Sequence, residues 1–103
     1  MKLSLVKTKE VNNKKVEIYE IADYEVKVVI CEDGTKYITV RETRGEYVPT
    51  IYCRTNDDNG DILGFEIQTT SYGALSVEEI RKLVNDLEEA TQVAEILTAE
   101  FVK

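Results

Sequence analysis

Hydrophobic and polar residues alternate with a period of two over most of the first 70 positions, then change to a helical period. Residues 3–10 (LSLVKTKE) form a first candidate strand, with Leu3 and Leu5 sharing a face. Asn12-Asn13 is a turn signal. Residues 15–22 (KVEIYEIA) alternate again: Val16 and Ile18 on one face, Glu17, Tyr19 and Ile21 on the other. After a turn at Ala22-Asp23, residues 24–32 (YEVKVVICE) carry the clearest strand pattern. Tyr24, Val26, Val28 and Ile30 fall on one side of the pleat. Asp33-Gly34 reads as a type I′ hairpin turn into residues 36–43, where Ile38 and Val40 share a face. A turn at Arg44-Gly45-Glu46 leads to a fifth strand over 47–54, which Pro49 limits to an edge or to a late start. A polar loop over 55–61 precedes a sixth strand over 62–70.

The period changes after the connector Ser71-Tyr72-Gly73. Ser76-Val77-Glu78-Glu79 is a capping box, and it starts a helix over about 77–101, roughly 37 Å long. Ile80, Leu83, Leu87, Ala90, Ala94, Leu97 and Phe101 recur at alternating spacings of three and four, with Val84 and Val93 widening the stripe. The stripe predicts packing on the chain's own sheet, and a coiled-coil seam is the alternative. Glu78 and Lys82 stand at the favourable i, i+4 spacing. The predicted fold is α+β: an antiparallel meander of about five or six strands packed against one long C-terminal helix. Its length of 103 residues suits a single domain over 1–103.

Composition narrows the chemistry. The chain is 43% hydrophobic and 32% charged, as expected of a folded protein. It contains no His, which excludes Ser-His-Asp and Cys-His catalysis, His-containing zinc sites and a His-based pH switch within the chain. Twenty acidic and 13 basic residues give a net charge of −7. More than half of it, −4, lies on residues 76–103. The basic residues are scattered, so direct nucleic-acid binding and an anionic membrane surface are not expected. The N-terminal MKLSLVKTKEV lacks the continuous apolar run of a signal peptide, and a cytoplasmic location is expected. Cys31 and Cys53 are then expected as free thiols. No cofactor-binding pattern occurs, and no Gly-rich phosphate loop.

Two groups of residues are candidates for a site. The first is a calcium-loop pattern. With Gly60 at the invariant glycine of an EF-hand loop, Asp57 and Asn59 take the third and fifth positions, Asp61 follows the glycine, and Glu66 takes the bidentate twelfth. Thr55 replaces the first Asp, and neither flank reads as a helix. The competing reading is an acidic hairpin loop with Glu66 pointing outward. The second group is tyrosine: six are present against two Phe. Tyr19, Tyr24, Tyr37 and Tyr52 are candidate interaction residues, since Tyr joins an apolar body to a polar tip. One helix covers one sheet face, and Val29, Cys31, Tyr19 and Ile21 are expected on the other, where they need a cover.

The segment Ser71-Tyr72-Gly73-Ala74-Leu75-Ser76-Val77-Glu78-Glu79-Ile80, with the helix after it, resembles the sheet-to-helix join of small uncharacterised proteins of Firmicute prophages and other mobile elements. The resemblance implies a bacterial or phage accessory protein and carries no activity or site residue. The expected function is therefore a small non-enzymatic protein-interaction or accessory module with a protein partner, including itself as a homodimer. The alternative is an acidic inhibitor that mimics nucleic acid or occupies a basic protein site.

Overall fold

The computed structural model describes residues 1–44, 48–69 and 73–102. Among them are six strands and one helix: β1 (Ser4–Val11), β2 (Lys14–Ile21), β3 (Tyr24–Ile30), β4 (Lys36–Glu42), β5 (Thr50–Thr55), β6 (Ile62–Gln68) and α1 (Val77–Phe101). The expected turn at Gly45-Glu46, Tyr47 and Thr70 at strand ends, and the Ser71-Tyr72 connector lie outside the described residues. The α+β architecture is as expected. The meander, however, divides into a four-stranded antiparallel sheet ordered β1-β2-β3-β4 and a β5-β6 pair. β5 lies alongside β4 without joining its ladder. Pro49, immediately before β5, has no N–H with which to extend pairing.

The turns explain the register. Asn12 and Asn13 both have positive φ (50° and 64°), and Val11 faces Lys14 across them, the type I′ arrangement. The Asp33-Gly34 turn differs from the expected type I′. Only Gly34 has positive φ (87°); its N–H donates to the Cys31 carbonyl at 3.0 Å, and the Cys31 N–H donates to the Thr35 carbonyl at 2.9 Å. This is a three-residue loop closed by a left-handed glycine. At the β2–β3 turn, Ala22 holds a φ of 50°, a region that favours glycine. Ala22→Gly is therefore expected to stabilise the fold by about 0.5–1 kcal/mol, read as a higher urea midpoint at unchanged m-value. A lower midpoint would refute the strain at this turn.

Antiparallel pairing also decides the faces. Ile21 lies opposite Tyr24, and Tyr19 opposite Val26. Residues directly opposite share a face, so Tyr19 and Ile21 lie on the side of the sheet that meets the helix. The expectation that they point away from it is corrected. Val16 and Ile18, opposite Val29 and Lys27, take the far side. The core joins Ile21, Tyr24, Val26 and Val28 of β2–β3 with Ile38, Val40, Val48 and Ile51, and closes on Ala90, Val93 and Leu97 of α1. Tyr19, Phe65 and Phe101 pack against it, with the Tyr19 and Phe101 rings edge to face at 5.9 Å. β1 is exposed along its whole length, and a register shift between Leu5 and Lys7 interrupts its pairing with β2.

The helix begins and ends where its sequence signals place it. The Ser76 hydroxyl accepts from the Glu79 N–H at 3.1 Å, and the Glu79 carboxylate accepts from the Ser76 N–H at 3.0 Å. These hydrogen bonds hold the Glu79 carboxyl below its usual range. The buried helix residues are Ala90, Val93, Ala94 and Leu97, all in the C-terminal half. The N-terminal half extends past the core, and the molecule is elongated, 50 × 30 × 22 Å with a radius of gyration of 15.2 Å. A compact chain of this length has about 13 Å.

Candidate functional site: the free flank of the helix

Along α1 the apolar residues follow two stripes that share Leu87 and Ala94. One, through Ala90, Val93, Leu97 and Phe101, faces the core. The other runs Val77, Ile80, Val84, Leu87, Thr91, Ala94, Thr98, again at spacings of three and four, and is rotated toward β6. In its first half it is uncovered: Val77, Ile80 and Val84 are 67%, 45% and 55% exposed. In its second half it borders a groove of about 480 Å³, lined by Phe65 and Ile67 of β6 and by Thr91, Ala94, Glu95 and Thr98 of α1. The uncovered stripe thus leads directly into an apolar groove. Arg81 and Glu88 flank the stripe and are exposed. Neither has an ion-pair partner among the described residues.

The opposite flank of the helix is occupied. Arg44, just after β4, reaches Asp86 at 2.9 Å and Asp23 at 3.1 Å. Lys82 also meets Asp86, at 2.6 Å, rather than forming the expected pair with Glu78. Burial opposes the charge of Asp86, but hydrogen bonds from Lys82 and Arg44 outweigh it and hold the carboxyl below its usual range. Glu89 goes the other way, pushed up by burial and by the neighbouring Asp23. Two carboxylates driven apart are an acid–base signature. Here both Asp86 oxygens already accept from cations, and the network fastens the helix to the β2–β3 turn.

The tyrosine candidates separate into two kinds. Tyr24 is enclosed in the core, and its hydroxyl donates to the Pro49 carbonyl at 2.6 Å. Tyr19 is half-buried, with its ring on Phe101 and its hydroxyl donating to Glu17 at 3.2 Å. Neither offers a free surface. Tyr37 and Tyr52 are 58% and 52% exposed, but they stand in different sheets. Tyr37 lies opposite Val29 on the face away from the helix. The structure does not bring the four together.

The calcium-loop residues do not converge. Gly60 has a φ of 76° and its N–H donates to the Asn56 carbonyl at 2.8 Å, as a hairpin loop requires. The Asn59 side chain accepts from the Asp61 N–H at 2.9 Å. Asp57 is exposed in the turn. Glu66 lies within β6, opposite Tyr52, and pairs with Arg54 at 3.4 Å. Among the described residues, no three of the metal-binding types His, Cys, Asp and Glu gather to hold a metal ion. This hairpin tip and the Asp33–Lys36 tip border a cleft of about 410 Å³ that Phe101 closes on one side. Asp33 in that cleft is already engaged by the Thr35 N–H at 2.9 Å, which holds its carboxyl low. Cys31 and Cys53 are free and half-buried, and burial pushes the Cys53 thiol up.

Sequence periodicity registered Val84 as a widening of the core stripe, and it missed that Val77, Ile80 and Val84 form a stripe of their own. The signal was present: residues at 77, 80 and 84 are out of phase with 90, 93 and 97, so one straight helix cannot bury both sets against one surface. Among the described residues, no helix is long and apolar enough to cross a membrane. The chain matches no protein-family model, no curated protein and no solved structure.

Proposed function

We propose that this chain is a small non-enzymatic protein-interaction module whose docking surface is the free flank of α1. The observation that carries this reading is the exposure of Val77, Ile80 and Val84 at helical spacing, in line with the groove beside β6. Scattered exposed apolar residues are ordinary, but a contiguous row leading into a groove is a feature of helix-in-groove and helix-pairing surfaces. Two free thiols support a reducing, cytoplasmic setting. The resemblance of residues 71–80 supports a bacterial or phage-encoded accessory protein. The acidic-inhibitor alternative has less support, because Glu17, Asp23, Glu25, Glu66 and Asp86 each lie against a Lys or Arg.

The test compares wild type with an Ile80→Asp/Val84→Asp variant, both immobilised and offered the same bacterial lysate and the same purified chain. Both positions are exposed, so circular dichroism should show an unchanged fold. A partner retained by wild type should be reduced by about tenfold or more on the variant. Equal retention of every bound protein would remove this flank as the docking surface.

A further inference from the structure

We propose that the occupant of the free flank is a second copy of this chain, whose α1 lies antiparallel to the first about a two-fold axis, Val84 of each copy against Leu87 of the other. This rests on the interaction reading above and names its partner.

The register follows from the order of side chains along the stripe. In an antiparallel pair, each step forward on one helix is a step back on its partner. With Val84 against Leu87, Ile80 meets Thr91 and Val77 meets Ala94 of the second copy. The branched side chains of the overhanging half thus fall on the short side chains of the other half, beside the groove that Phe65 and Ile67 border. Large against small is how facing helices interdigitate. The two-fold axis repeats the arrangement, so one register covers the overhang of both copies.

Charge selects the same register. Arg81 follows Ile80 and Glu88 follows Leu87, so both lie on the same flank of the stripe. In an antiparallel pair such flanks face each other, and Arg81 of one copy comes within about two residues, or ~3 Å along the axis, of Glu88 of the other. The pair forms twice. Arg81 and Glu88 are both exposed and lack an ion-pair partner among the described residues. Glu95 comes level with Ser76 of the second copy, at the positive end of its helix dipole. A parallel pair would instead align the two dipoles. The rival route, strand addition at β1, meets a register shift between Leu5 and Lys7 and an edge carrying Lys7 and Lys9, devices that discourage edge pairing.

The test is a charge exchange read by sedimentation equilibrium. Wild type should show twice the 11.7 kDa chain mass at high micromolar concentration. Arg81→Glu and Glu88→Arg, each creating two like-charge contacts, should each raise the dimer Kd by about tenfold or more. The double exchange should restore it to within about threefold of wild type. A monomer mass for wild type overturns the pairing and leaves the lysate comparison above to decide the interaction reading. A dimer whose Kd is unmoved by the single exchanges, or not restored by the double exchange, overturns this register. A dimer that also survives Ile80→Asp/Val84→Asp at unchanged Kd removes the helix flank as the self-association surface.

Discussion

Leu97→Ala is expected to destabilise the fold by about 3–5 kcal/mol, the range for emptying a closely packed leucine site. Leu97 is fully buried, and its helix neighbours in the core are Ala90, Val93 and Ala94. The methyl of an alanine and the short, branched side chain of Val93 cannot reach into the space, so the site collapses little and a cavity term adds to the lost transfer energy. For a domain of this size the melting temperature should fall by roughly 15 °C or more. Val84→Ala, three and a half turns earlier on the same helix, should change stability by no more than about 0.5 kcal/mol. Urea unfolding followed by circular dichroism measures both. A Leu97→Ala cost under about 1 kcal/mol would mean that α1 does not close the core as described.

Tyr24→Phe is expected to cost about 1–3 kcal/mol at neutral pH and to flatten the alkaline limb of the stability profile. The Tyr24 hydroxyl donates to the Pro49 carbonyl at the start of β5, and both residues are buried. Phenylalanine keeps the ring but leaves that carbonyl without its donor, and an unpaired buried acceptor bears the full desolvation cost. The bond links two sheets that share no ladder between β4 and β5. Burial, with Glu42, Glu89 and Asp86 nearby, raises the Tyr24 hydroxyl far above its ordinary value. The neutral phenol is therefore the form that folds. Its contribution is fully present below the unfolded pKa of about 10 and is lost as pH rises above it, because the unfolded chain ionises while the folded one does not. The slope from this group approaches about 1.4 kcal/mol per pH unit. Tyr19, also raised by its burial and by Glu17, acts in the same direction. Identical alkaline limbs for wild type and Tyr24→Phe would contradict the assignment.

The start of the helix was legible because its capping box is local, Ser76 and Glu79 satisfying each other within one turn, and its period carried the reading to about Phe101. Six strands were legible for the same reason, since alternation and turn residues act over a few positions. The faces were not. Tyr19 and Ile21 were expected away from the helix, and only the pairing across the two-residue turn at Ala22-Asp23 places them with Tyr24 and Val26. The choice among tyrosines depended on that pairing too. Tyr24 looked like an interaction candidate because Tyr is amphipathic, yet its hydroxyl finds Pro49, 25 positions away. The calcium pattern was assembled from residues adjacent in sequence, but β6 carries Glu66 out along a strand and gives it Arg54 as partner.

By itself the amino-acid order determined the element types, the start of the helix, the absence of His chemistry and the acidic bias of the helix, all of which follow from local periodicity and composition. Tertiary structure alone decided that the meander splits into two sheets and which apolar set of α1 is buried: among the described residues, positions in its C-terminal half are buried and Val77, Ile80 and Val84 are left exposed. The reason is physical. An apolar residue records that it gains from burial, but not which surface will bury it. That depends on where distant strands lie, and among the described residues they bury α1 only in its C-terminal half.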